Sequence, residues 1–271
     1  MKSLLFTFAS TFIALVLPSC FQSETTVHLK KDGSGSLVEQ TTSGAFMLAM
    51  LSQMSAIGGV AAKDPLAELS SMEKAKARAA TLGPGVTVEK AVPYESGANK
   101  GASVTYHFTD INKLTISPGD SLKNLSPVQA AIPAATQAKP VTFAYTDGIL
   151  TVTLPEPEKT AAAVPKIPEA PELPDMESPQ TQTLMKQMLV GMTMSFELVI
   201  EPGIAEADAT FQEGDTITLM DIEITKLLEK PGMLKKLSTS PKQDPVAALE
   251  FIKGLDGVRM ETKKQITVKV K

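Results

Sequence analysis

Between residues 141 and 154 large apolar side chains recur at every second position on both sides of an Asp-Gly pair. Val141, Phe143 and Tyr145 precede Asp147-Gly148, and Leu150, Val152 and Leu154 follow it. A period of two puts every apolar residue on one face of an extended strand, which a helix of 3.6 residues per turn cannot do. Two central residues of this type favour a type I′ turn, whose twist matches that of the flanking strands. The chain is therefore committed to antiparallel sheet with one greasy face that something else must cover. The same pattern recurs where Ala102, Val104, Tyr106 and Phe108 alternate with Ser103, Thr105, His107 and Thr109.

Weaker strand signals fill much of the rest. Residues 25–29 and 37–40 flank Asp32-Gly33-Ser34-Gly35 and read as a hairpin. Val86 and Val88 mark another strand, and Met194, Phe196, Leu198 and Ile200 a further one ending at Pro202-Gly203. Residues 207–211 and 216–224 read as a hairpin around Glu213-Gly214-Asp215, while 258–260 and 266–270 look like closing strands. Tryptophan is absent and aromatics are few, so the core must be largely aliphatic, and a sugar site built on aromatic platforms is disfavoured.

Helical spacing appears in four places. Residues 40–62 carry no charged side chain, and within them Met47, Met50, Leu51, Met54 and Ile57 share one helical face before Gly58-Gly59. Asp64-Pro65 suits a helix start, with Leu66, Leu69 and Met72 as its buried stripe, the charges from Glu73 to Arg78 facing water and Gly83-Pro84 as the stop. Shorter helices are expected near 184–192 and from Asp244-Pro245 to Gly254. Residues 112–139 are rich in Pro, Ser and Ala and read as an exposed excursion, and seven prolines between Pro155 and Pro179 describe an extended linker or long loop. The expected fold class is α+β: antiparallel sheet from several hairpins, backed by helices on one face. The expected division is a first part over 25–154, the linker over 155–179 and a second part over 180–271, packed with the first.

The start of the chain reads as an address. Lys2 precedes an uncharged, mostly apolar run from Leu4 to Leu17. At a rise of about 1.5 Å per residue this run spans about 21 Å, short of the ~30 Å hydrocarbon core, so an export signal fits better than a permanent span. Leu17-Pro18-Ser19-Cys20 resembles the lipobox of bacterial lipoproteins, with Leu17 and Ser19 in the expected places. That resemblance implies removal of residues 1–19, acylation of Cys20, a short tether over 20–24 and attachment to a membrane. Phe21 in place of Asp, by likeness to the sorting rule of enteric bacteria, points to the outer membrane. Cys20 is the only cysteine, so no internal disulfide can form. The bland alternative is a stray thiol beside an ordinary signal-peptidase site.

The hairpin with Asp32-Gly33-Ser34-Gly35, the Met-rich helix, the strand closing in Pro202-Gly203 and the Gly214-Asp215-Thr216 turn together resemble the LppM-type domain of uncharacterised bacterial lipoproteins. The resemblance covers residues 24 to about 230. It implies an α+β envelope domain with an affinity for lipids, and it offers no catalytic residues to carry over.

Chemistry-bearing constellations are scarce. His28 and His107 each occupy a polar-facing strand position and have no partner at metal-ligand spacing, so neither a metal nor a cofactor is expected. Asp32-Gly33-Ser34-Gly35 lacks the Gly-Lys-Ser/Thr of a phosphate loop and the carboxylate ladder of a calcium loop. The net charge of −4 argues against nucleic acid as a partner. The face of Met47, Met50, Leu51, Met54 and Ile57 is either a core helix or an adaptable apolar contact surface for lipid or an envelope protein. Three functions remain, in order of preference. They are a non-enzymatic envelope module anchored through Cys20, a lipid-handling protein using the Met-rich helix against a sheet, and a secreted hydrolase.

Overall fold

The computed structural model describes residues 21–45, 48–49, 67, 69–117, 139–155, 190–229 and 255–271. Within them the hairpin expected around Asp147-Gly148 forms as the alternation demands. β6 (Val141–Thr146) and β7 (Ile149–Thr153) pair Thr146 with Ile149, and both turn residues take positive φ, 52° and 76°.

This hairpin lies in an antiparallel sheet ordered β5 (Thr115–Ile116), β6, β7, β13 (Gln265–Val270) and β9 (Ile204–Ala207). A second, larger sheet is built on β1 (Phe21–Leu29). On one side β1 pairs antiparallel with β2 (Gly35–Ser43), followed by β4 (Asn99–Phe108) and the edge strand β3 (Thr87–Ser96). On its other side β1 runs parallel to β8 (Thr193–Ile200). Antiparallel to β8 lies β11 (Thr216–Glu223), which also pairs β10 (Gln212–Glu213) and β12 (Val258–Met260). Both sheets thus draw strands from before and after the proline-rich stretch.

The expectation of an α+β fold backed by helices is overturned: the described residues are mostly β, in one mixed and one antiparallel sheet. The physical reason is where the apolar faces go. Val27, Leu37, Tyr106, Leu198 and Ile217 of the large sheet share one continuous core with Phe143, Leu150, Val152, Ile266 and Val268 of the small one. Sheet covers sheet, and each such aliphatic side chain contributes about 1.5–3 kcal/mol relative to exposure. Among the described residues helix is a minor addition to the strands, chiefly α1 (Met72–Leu82) and the five-residue α2 (Ile224–Leu228).

The long helix expected from Asp64-Pro65 is also revised at its end. Ser71 starts α1 afresh, its hydroxyl accepting from the Lys74 N–H, and the buried stripe is Ala75, Ala79 and Leu82. Met72 is 43% exposed, and Arg78 does not face water. Its guanidinium instead reaches the inner face of the sheet and meets Glu39 at 2.8 Å, both side chains nearly buried. The Tyr106 hydroxyl joins the same carboxylate; burial and the charge of Glu39 together push the phenol's pKa well above its ordinary value. The hairpin expected from 207–211 and 216–224 does not form as drawn either, because β9 pairs with β13 and only the short β10 turns back on β11.

A buried carboxylate closes the small sheet against the large one. Glu261 is 5% exposed and accepts from the Thr210 N–H at 2.6 Å, the Thr210 hydroxyl at 2.8 Å, and the N–H groups of Thr262 and Lys263 at 2.8 and 3.1 Å. Burial pushes its pKa up, and the donors from Thr210, Lys263 and Thr262 more than reverse this, leaving it below the usual carboxylate value. A lowered folded-state pKa adds stability above the unfolded pKa and loses it as pH falls through the folded one. Glu261→Gln places an NH2 group against N–H donors and is expected to cost about 2–3 kcal/mol at neutral pH. Urea unfolding of both proteins across pH should show the difference shrinking in acid; an equal difference at every pH would contradict this role.

Candidate functional site

The register brings several strand ends into line at one end of the large sheet. Phe21 stands opposite Ser43 and Ser43 opposite Lys100, while Gln22 stands opposite Thr42 and Thr193, and Thr193 opposite Glu223. Here an apolar cluster separate from the main core gathers: Phe21 at 5% and Met192 at 8% exposure, with Leu69, Met194 and Ile224 packed against them. Backbone bonds hold its parts. Ile224 N–H donates to the Met192 carbonyl at 3.0 Å, Glu223 N–H to the Gly257 carbonyl at 2.7 Å, and Gly191 N–H to the Thr225 hydroxyl at 2.6 Å. Met72, three residues after Leu69 in the sequence, is 43% exposed. Ser43 Oγ and Asn99 Oδ1 lie buried at the same end and, among the described residues, have no hydrogen-bond partner.

Phe21 is the first residue of β1, so residues 21–24 belong to a strand flanked on both sides. Cys20, the residue expected to carry the lipid, lies outside the described residues, one peptide bond from Phe21. Met47, Met50, Leu51, Met54 and Ile57 also lie outside them, though Ala45, Leu48 and Ala49 in the same stretch are helical. The sequence marks Met194 as a strand position and Phe21 as a sorting residue, and it points to none of Phe21, Met192, Met194 and Ile224 as part of a site. Their signal is a burial pattern interrupted by polar residues, Ser23 and Thr25, that also face inward.

Both histidines fall on the outer face of the large sheet. His28 and His107 stand opposite Ser36 from either side, on three neighbouring strands. A serine between two imidazoles is the raw material of nucleophilic chemistry, which needs hydrogen bonds to orient it. Among the described residues no side-chain hydrogen bond engages any of the three, no group of three or more metal-ligating side chains occurs, and no helix is long and apolar enough to cross a membrane. An open groove of about 560 Å³ at the end of the small sheet is lined by Thr142, Thr153, Leu154, Pro155 and Gln265, with Lys139 and Lys264 at its rim. It brings together no acid–base pair.

No family model and no curated protein matches the chain. Among solved structures the chain is similar to the folded domain of LppM from Mycobacterium tuberculosis, determined by NMR. The two are 10% identical, the match covers 83% of this chain and 89% of that one, and the TM-score is 0.32. A likeness that distant transfers neither fold nor function.

Whether Phe21 is part of the folded body is open to direct measurement. Phe21→Ala removes a buried ring from the cluster and should lower the unfolding free energy by about 3–5 kcal/mol. A change below about 0.5 kcal/mol, the range of ordinary surface substitutions, would mean that Phe21 is tether.

Proposed function

We propose that this chain is a bacterial envelope lipoprotein, held at a membrane by acylated Cys20, whose β body acts as a non-enzymatic binding or structural module. The observation that carries the reading is the immediate junction of Cys20 with a buried strand start at Phe21. The apolar run before Ser19-Cys20 and the absence of any other cysteine support it. Acyl chains on Cys20, at about 0.8 kcal/mol per buried methylene, would hold the body on a leaflet far longer than one chain could. The outer membrane is the destination we favour, because Phe21 rather than Asp follows the cysteine.

The module would offer a flat, hydroxyl-rich surface for contact. Thr26, Ser36, Ser103, Thr105 and Ser195, with His28 and His107, share the outer face of the large sheet and are partly exposed. Gln22, Glu24, Gln40 and Glu197 share this face, so the contact it offers is polar throughout.

Cys20→Ser tests the anchor. The wild-type protein should fractionate with membranes and show an intact mass that includes a diacylglyceryl group on Cys20, while the variant should move to the soluble fraction at the mass of an unmodified chain. Unchanged fractionation of the variant, or a wild-type mass without lipid, would sink the proposal.

A further inference from the structure

We infer that the end of the large sheet at Phe21 is a lipid-docking surface: the body does not hang from its anchor but rests this apolar end on the leaflet. The inference deepens the proposed function and rests on acylation of Cys20.

Reach is the first ground. Consecutive Cα atoms are about 3.8 Å apart, so Cys20 can place its acyl chains no farther than one residue from Phe21. Phe21 is paired with Ser43 of β2, and Gln22, the next residue, is held by both β2 and β8, so the strand supplies little slack. An anchored chain therefore has this end of the sheet at the headgroups whatever else it does.

The surface found there is the second ground. Met194, Leu69 and Ile224 are only partly buried over Phe21 and Met192, and Met72, three residues along the chain from Leu69, is 43% exposed. Met72 is not needed inside, since α1 buries Ala75, Ala79 and Leu82 instead. Unbranched thioether side chains adapt to an irregular apolar environment, which suits the boundary between headgroups and acyl chains. Without residues 1–19 and their Lys2 the anchored chain has a net charge of −5, so it is not drawn as a whole to anionic lipid and the contact is expected to be apolar.

The opposite end is built differently. β1 carries the chain roughly 26 Å away from Phe21, at about 3.3 Å per residue. Close to Leu29 lie the turns at Lys30 to Ser34, Pro202-Gly203 and Asp147-Gly148, joined by bonds from Glu201 N–H to the Leu29 carbonyl, Lys271 N–H to the Gly203 carbonyl and Val270 N–H to the Gly148 carbonyl. Ile149, 47% exposed, marks this far end.

The chain contains no tryptophan, so one introduced indole reports without background. Met72→Trp and Ile149→Trp alter exposed positions and should fold as the parent does, which circular dichroism checks. Each full-length protein, purified from its own membranes and verified by intact mass as acylated, is reconstituted into phosphatidylcholine–phosphatidylglycerol vesicles with brominated acyl chains. At an interfacial depth of about 5–10 Å the indole at 72 should lose roughly twofold of its emission, in low and high salt alike, and the indole at 149 should lose none. Vesicle-bound protein whose indole at 72 stays unquenched, or is quenched no more than that at 149, overturns the docking while leaving the anchor standing. A surface that instead pairs with a second copy would give that same unquenched result. Protein that carries no lipid overturns both.

Discussion

The parallel pairing of β1 with β8 is the contact on which the rest of the molecule depends. It joins residue 22 to residue 193 and residue 29 to residue 200, across more than half of the chain. Parallel neighbours need a crossover, and closing so long a loop costs entropy before any apolar contact repays it. Once made, the pairing places β1 at the centre of the large sheet, lines Val27 and Leu29 up with Leu198 and Ile200, and delivers those four buried side chains to the core shared with the small sheet.

Local pattern carried as far as local interactions reach. The hairpin at Asp147-Gly148 and the strand through Val104, Tyr106 and Phe108 were legible because their registers depend on neighbours in sequence. Long-range choices were not. Nothing in residues 204–207 says that they pair with 268–270 rather than with 216–218, and nothing in 22–29 names a partner at 193–200. The α+β expectation failed for a related reason: helical spacing shows that a segment could cover a sheet, not that another sheet covers it first.

Polar residues facing inward hid two further features. Ser23 and Thr25 are buried on the inner face of β1, which broke the apolar alternation and made residues 21–24 look like tether. Arg78 reads as a water-facing charge, yet it meets Glu39 in a shielded pair beside Tyr106. Removing one partner of such a pair leaves a buried charge uncompensated, typically at about 3–5 kcal/mol, so the pair fixes how α1 lies on the sheet more than it adds net stability. Of the candidate site, the sequence pointed to Cys20 and to methionine, but the apolar surface among the described residues is assembled from Phe21, Leu69, Met192, Met194 and Ile224, which come from four parts of the chain.

The first residue after the cysteine already belongs to the central strand of a sheet, with the pairing on both sides complete from Gln22 onward. Amide hydrogen exchange of the full chain, read residue by residue over 21–29, measures this most directly. Protection of residues 22–28 close to the global unfolding limit is expected for a strand bonded on both sides. Free exchange over 21–24, with protection beginning only near residue 25, would contradict it and restore a flexible tether between anchor and body.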